Sequence, residues 1–181
     1  MSLFIVCMSL FIVICIFIIW LASTYNRFQE LIIRMNEAES NIDSVLRKRF
    51  DLINKSIDII KAVSETSDDV MPLVSKIKSR KLSNFELDRI LYDGIKEFNF
   101  YKEKFPKLKG NESFMKIDVS LTESEAEIIA LRKYYNDITT DYNKVMKTFP
   151  SNFVGFLFKF KPRLYFDGKD MSDDDVKDFK L

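Results

Sequence analysis

The hydrophobic pattern at the start of the chain is not interrupted by charge. No charged side chain occurs before Arg27, and between Leu3 and Ala22 only Ser9 interrupts the apolar residues. A helix rises about 1.5 Å per residue, so a helix of this length spans about 30 Å, the thickness of the hydrocarbon core of a bilayer. The pattern therefore predicts a transmembrane helix at residues 3–22 that binds the lipid bilayer, inside an anchor of residues 1–24.

A cleaved secretory signal is the rival interpretation of this segment. It would need a positively charged start, a shorter apolar run and small residues at a cleavage site, and the segment has none of these. Lys and Arg occur only after the apolar run, beginning with Arg27 and Arg34. Because short flanks rich in Lys and Arg tend to remain in the cytoplasm, we expect the N-terminus outside the cell membrane and the following domain in the cytoplasm.

The polar and apolar positions that follow predict one long amphipathic helix from Tyr25 to about Glu65. This stretch lacks Gly and Pro, and its apolar residues recur at alternating steps of three and four, as in helices packed at shallow angles. Arg49 and Ser56 interrupt this seam. The apolar seam residues are Phe28, Leu31, Met35, Ala38, Ile42, Val45, Leu52, Ile59 and Val63.

A second helix is predicted after the polar stretch at residues 66–69. Pro72 stands where a first-turn proline is tolerated, and Ser83 has the spacing to Glu86 of a capping box that restarts the helix after a break. Phe105 and Pro106 end it. Residues 107–119 are then expected to form a long connection.

A third helix is predicted to run to Pro150, capped either by Thr122 with Glu125 or by Ser120 with Glu123. Eight of its nine seam positions are apolar, namely Leu121, Ile128, Leu131, Tyr135, Ile138, Tyr142, Val145 and Phe149, with Ser124 as the ninth. The predicted fold is all-α: an N-terminal transmembrane helix, then an antiparallel bundle of long helices over residues 25–166 with a short C-terminal helix.

The end of the chain has two contrasting parts. A Phe-rich segment, with Phe153, Phe156, Phe158 and Phe160, is either a short helix that caps the bundle or an exposed apolar patch for a membrane surface or a partner, helped by neighbouring lysines. Residues 167–181 are acidic and poor in apolar residues, so we expect a flexible tail.

Four blocks of residues, in order along the chain, resemble the LemA family of bacterial single-span membrane proteins. The blocks are Tyr25-Asn26 with Ala38, Ser40, Ile42-Asp43, Leu46, Arg49 and Asp51-Leu52-Ile53; Phe105-Pro106 with Leu108-Lys109, Asn111-Glu112 and Phe114; Glu125 with Ile128, Arg132, Tyr135-Asn136, Tyr142-Asn143 and Phe149-Pro150; and Phe158 with Phe160 and Tyr165-Phe166. Asn54 departs from the family pattern, which usually has Pro there, and Ala126 replaces a usual Asn. The resemblance implies an antiparallel helical-bundle domain and a membrane location, and it implies no agreed biochemical activity.

Charged residues on or beside the predicted seams form a candidate polar network. Arg49 interrupts the first seam with Asp43 nearby, and Glu125 and Arg132 flank the third. A buried ion pair between helices one and three would fix their register. The alternative is an anion-binding pocket formed by Arg49 and Arg132, lined by Tyr135, Asn136, Tyr142 and Asn143.

The composition argues against catalysis. The 181 residues include no His and four Gly, and they carry 28 Lys and Arg against 27 Asp and Glu in mixed order. The commonest general base, a phosphate-binding glycine loop and a basic nucleic-acid surface are therefore missing, and we expect no catalytic residue, metal or cofactor. The prediction is a membrane-anchored interaction or scaffold module with a protein partner; the alternative is a bundle that binds a small ligand or lipid.

Overall fold

The computed structural model describes residues 2–65, 70–75, 77 and 82–166. Its elements are five α-helices, α1 Ser2–Ser64, α2 Pro72–Ser75, α3 Asn84–Lys104, α4 Glu112–Lys147 and α5 Ser151–Leu157, with a 3₁₀ helix at Pro106–Gly110 between α3 and α4. No strand occurs among the described residues, which confirms the predicted all-α class. The predicted acidic tail lies outside the described residues.

Helix α1 begins in the apolar segment and continues without a break for 63 residues. Its apolar window is long enough to cross a membrane, and none of that window is buried inside the protein. Leu3, for example, is 76% exposed. A long, uncharged and uncovered apolar helix fits a single-pass membrane anchor.

The buried face of α1 rotates along its length. The predicted seam is buried from Phe28 to Val45, but Leu52, Ile59 and Val63 are only half-buried. Residues one position away are buried instead, namely Leu46, Ile53, Ile57 and Ile60. A straight α-helix has 3.6 residues per turn and drifts by about 20° per heptad from a strict seven-residue repeat. A seven-residue seam extended over about 40 residues therefore moves away from the buried face of the helix.

The predicted restart of the second helix at Ser83 is confirmed. Helix α2 covers Pro72–Ser75, and α3 begins after Ser83 in a complete capping box. The Ser83 amide donates to Glu86 Oε2 (2.9 Å), and the Glu86 amide donates to Ser83 Oγ (3.3 Å). The start of α3 therefore follows from local side-chain chemistry, and the predicted break before it lies mostly outside the described residues.

The predicted connection at residues 107–119 is wrong. Helix α4 starts at Glu112, where the Asn111 side chain accepts a hydrogen bond from the Phe114 amide (3.0 Å) in the manner of an N-cap. Thr122, predicted to cap this helix, lies inside it, and its hydroxyl donates to the Asp118 carbonyl (3.0 Å). Helix α4 also ends at Lys147, before Pro150.

Replacing Ser83 with Ala should lower the free energy of unfolding by about 1 kcal/mol, because α3 loses the acceptor of its capping box. Thr122→Ala is the matched control, since its hydroxyl only returns to a carbonyl of its own helix and should change stability by less than about 0.5 kcal/mol. Urea unfolding of the full-length chain in detergent, followed by helical circular dichroism, measures both. A larger loss for Thr122→Ala would contradict the observed helix start.

The chain divides into two compact units. Among the described residues, the first comprises residues 2–37 and Asn136–Tyr165, and the second comprises Ala38–Tyr135 with Phe166. Within the first unit, α1 and α4 run antiparallel, because Phe28 contacts Tyr142 while Met35, further along α1, accepts a hydrogen bond from Thr139.

The second unit holds the larger apolar core. Residues of α1, α3 and α4 meet there, and the Phe98 and Phe114 rings stack with centroids 4.5 Å apart. Gly94 lets α3 lie close to α2, because a Cβ at that position would lie 2.7 Å from a methyl group of Val74. Asp88 pairs with Arg132 and Phe98 with Phe114, so α3 and α4 are also antiparallel.

Candidate functional site

Four charged side chains meet in the interior of the second unit. Arg49 of α1 donates to the Glu125 carboxylate of α4, and Arg132 of α4 pairs with the Asp88 carboxylate of α3. The two pairs are joined, since Arg49 Nη1 lies 3.7 Å from Asp88 Oδ1. The cluster therefore links three helices and contains two positive and two negative groups.

Burial differs within this cluster. The Arg49 and Asp88 side chains are 1% and 2% exposed and Arg132 is 10% exposed, whereas Glu125 is 31% exposed at the edge. The Arg132 guanidinium also lies over the Phe166 ring, 5.7 Å from its centroid. A desolvated charge is costly unless it is paired, so each arginine depends on its carboxylate partner.

The hydrogen bonding of the cluster is incomplete. Arg49 Nε, Asp88 Oδ1 and Arg132 Nε are buried and have no hydrogen-bond partner within the described part of the chain. Because desolvation offsets much of the attraction in a buried ion pair, the pairing does more to select the arrangement of the three helices than to add net stability.

The sequence predicted only part of this cluster. The structure brings together Arg49, Glu125 and Arg132, but Asp43 lies elsewhere and pairs with Arg47 one turn away (2.7 Å). Asp88 was missed, although a signal was present, because it stands three residues before Leu91 on the buried side of α3. An acidic residue at that spacing breaks the apolar stripe as Arg49 does on α1.

The two arginines of the predicted ligand pocket are engaged by carboxylates, Arg49 by Glu125 and Arg132 by Asp88. The Tyr142 hydroxyl, in the first unit, donates to the Lys161 carbonyl (3.0 Å). A groove of about 270 Å³ does lie between α3 and α4. It is lined by Tyr92, Ile95, Phe98, Asn99, Asp118, Leu121, Thr122 and Glu125. Its volume is below the usual range for ligand pockets.

The Phe-rich segment packs on α1 just after the apolar stretch. The Phe158 ring lies 4.7 Å from Tyr25, and the Phe160 ring stacks on Phe28 at 4.6 Å, both between centroids. The Asn143 side chain of α4 binds the same segment at Arg163. It accepts a hydrogen bond from the Arg163 amide (3.0 Å) and donates one to the Arg163 carbonyl (2.8 Å). These contacts tie residues 158–163 to both α1 and α4.

The predicted Phe patch is therefore split between two environments. Phe158 and Phe160 contact the rings of α1, although Phe158 stays 42% exposed, whereas Phe153 and Phe156 face away from the protein. Phe156 is 84% exposed. In α5 the buried positions are Val154 and Gly155, which face the body of the first unit. Phe153 and Phe156 lie on other sides of this short helix and are therefore exposed.

Burial raises the pKa of the Tyr142 phenol, against the opposing effects of the Arg163 charge and the bond to Lys161. Since the pKa is higher in the folded chain, the stabilisation by the neutral phenol is fully present below pH 10.0 and is lost as pH rises through the folded-state pKa. We expect the free energy of unfolding of the wild type to be about 0.5–1.5 kcal/mol higher than that of Tyr142→Phe at neutral pH. This difference should shrink at alkaline pH. Urea unfolding at several pH values measures this, and a constant difference would contradict it.

Comparison with known proteins decides the family. The model of the LemA family matches residues 38–178. This chain belongs to the LemA family. A curated relative, Protein LemA of Metamycoplasma hominis, is 26% identical over 140 residues, which cover 71% of this chain. The matched region spans 64% of the length of that relative.

Some of the residues that carry the LemA resemblance form contacts inside each of the two units. Arg49, Glu125 and Arg132 belong to the buried cluster, and Phe158 and Phe160 pack on α1. The position where the family usually has Pro is occupied by Asn54 in this chain, and α1 passes through it unbroken.

Proposed function

We propose that this LemA-family chain is a non-catalytic, single-pass membrane protein whose helical domain is an interaction or scaffold module for a protein partner. The observation that carries the proposal is the buried cluster, where Asp88 pairs with both Arg49 and Arg132 and so links α1, α3 and α4. The lack of His anywhere in the chain supports the same conclusion. The buried charged groups of the cluster fix the arrangement of the helices in the second unit.

The proposed location is the cell membrane, with the N-terminus outside and the helical domain in the cytoplasm. The uncovered apolar start of α1 and the position of Arg27 and Arg34 after it support this orientation. A Lys61→Cys reporter on the exposed side of α1, in a Cys7→Ser/Cys15→Ser background, tests it. We expect a membrane-impermeant maleimide to label the reporter only after cells are opened; labelling of intact cells would reverse the orientation.

The surface proposed for the protein partner is the outward side of α4 in the second unit. Val119, Ile129 and Tyr134 are each more than 40% exposed there, among charged neighbours. Exposed Ala126 and Ala130 lie beside them. We assign the contact with the partner to these apolar side chains, which lie within a polar surface.

A photoreactive residue at Ile129, used in intact membranes, tests the scaffold role. We expect reproducible capture of one other protein at Ile129 and no capture of it at Lys55, an exposed position on α1 that serves as the matched control. Capture of only lipid or a small molecule at Ile129 would move the proposal to the alternative, a bundle that binds a ligand or lipid. Capture of the same proteins at both positions would indicate nonspecific contact and would contradict the proposed surface.

A further inference from the structure

The first unit has an exposed apolar surface outside the predicted membrane span. Phe149, Phe153, Phe156 and Leu157, named here the exposed Phe patch, are between 50% and 84% exposed. Residues of the apolar segment of α1 show similar exposure, for example Ile19 at 67%. Large apolar side chains left this open in water mark a surface with a missing neighbour.

The position of the patch identifies that neighbour. The segment following α5 stacks on Tyr25 and Phe28, and Tyr25 lies three residues after Ala22, the end of the apolar stretch. Three residues of helix rise about 4.5 Å. Interfacial helices bury their apolar face about 5–10 Å into the boundary between headgroups and acyl chains. The contacts of the segment that follows α5 therefore hold this part of the first unit close to the end of the apolar stretch, within the depth of the membrane interface.

The charges around the patch match an anionic lipid surface. From Tyr142 to Phe166 the chain carries no acidic residue and five basic ones, although the whole chain has a net charge of only +1. The five are Lys144, Lys147, Lys159, Lys161 and Arg163. All five side chains are solvent-exposed. Basic groups flanking exposed aromatic side chains are the combination that binds the headgroup region of a bilayer.

The same charges argue against a second copy of this chain on the patch. An isologous contact would bring two sets of five positive charges together without a carboxylate from this segment to compensate them. Lipid phosphates instead supply the opposite charge.

We propose that the exposed Phe patch inserts into the interface of the bilayer that α1 spans and so forms a second membrane contact. This inference rests on the proposed membrane anchoring, and it assigns lipid to a surface separate from the one proposed for the protein partner. Two contacts, the span and the patch, restrict rotation of the first unit about the axis of α1.

Tryptophan quenching in lipid nanodiscs tests the proposal with the full-length chain. The discs contain phosphatidylglycerol and phosphatidylcholine with brominated acyl chains, and iodide is the aqueous quencher. The wild type reports on Trp20, the single Trp of the chain. The test variant is Trp20→Phe with Phe156→Trp, and the control is Trp20→Phe with Phe100→Trp, at a Phe of α3 that is 59% exposed.

We expect bromine to quench the Phe156→Trp reporter, and iodide to quench it several-fold less than the Phe100→Trp reporter. Iodide quenching equal to that of the control, without bromine quenching, overturns the proposal. Shielding from both quenchers also overturns it, because a second copy of the chain would then cover the patch. If bromine does not quench Trp20, the result contradicts the proposed membrane span of α1. Phe149→Trp, at 82% exposure, replaces the test reporter if helical circular dichroism shows that Phe156→Trp does not fold.

Discussion

Replacing Asp88 with Ala is expected to lower the free energy of unfolding of the full-length chain by about 3–5 kcal/mol. Asp88 is the carboxylate partner of Arg132 and lies 3.7 Å from Arg49, and all three are buried. Its removal leaves two guanidinium groups desolvated, with Glu125 at the edge of the cluster as the remaining carboxylate paired with them in the described part of the chain. Urea unfolding in detergent, followed by helical circular dichroism, measures the loss.

Asp93→Ala is the matched control for Asp88→Ala, because it removes an exposed carboxylate from the same helix. Asp93 contacts Lys96 at 3.8 Å and both side chains are about half exposed, so we expect a change below about 0.5 kcal/mol. Replacing the three most buried members of the cluster, with Arg49→Met, Asp88→Leu and Arg132→Met together, should cost less than Asp88→Ala alone, since Glu125, the member that stays charged, is 31% exposed at the edge. Equal losses for Asp88→Ala and Asp93→Ala would mean that the interior charges are not energetically coupled.

The all-α fold and most of the first helix could be predicted from the sequence because their signals are local. The apolar run sets the start of α1, and Ser83 with Glu86 sets the start of α3. The start of α4 was not predicted, because Gly110 and Asn111 lie within the stretch that was expected to be a long connection. Gly110 is the last residue of the 3₁₀ helix, and the next residue, Asn111, caps α4.

The candidate cluster was harder to predict because a charged residue's partner is set by packing between helices. Asp43 is near Arg49 in sequence, but a helical step of four places it beside Arg47, and the true partners of Arg49 come from α3 and α4. Spacing along one helix reveals which face a residue occupies. It does not reveal which residue of another helix meets it.

The Phe-rich segment shows the same limit. Composition alone could not separate a bundle cap from an exposed patch, and both interpretations apply to different residues. Phe160 packs on α1, whereas Phe156, four residues earlier and on the short helix α5, faces away. The difference arises because the chain leaves the helix at Phe158 and changes direction, with Lys159 in a left-handed conformation (φ 55°).

Phe114→Ala is expected to lower the free energy of unfolding by about 3–5 kcal/mol, because it removes a large side chain from the core of the second unit. Phe114 is fully buried and its ring stacks on Phe98 with an interplanar angle of 10°. Truncation therefore deletes both the buried area and the ring contact, and it leaves a cavity between α3 and α4. The midpoint of urea unfolding in detergent reports the change.

Phe100→Ala provides the matched control, since Phe100 lies on α3 two residues from Phe98 but is 59% exposed. Its loss should change stability by less than about 0.5 kcal/mol. Phe98→Ala should resemble Phe114→Ala, and the double variant should lose less than the sum of the two single losses, because the stacked pair is removed only once. Strict additivity would show that the two rings are not coupled and that the stack is not what joins α3 to the start of α4.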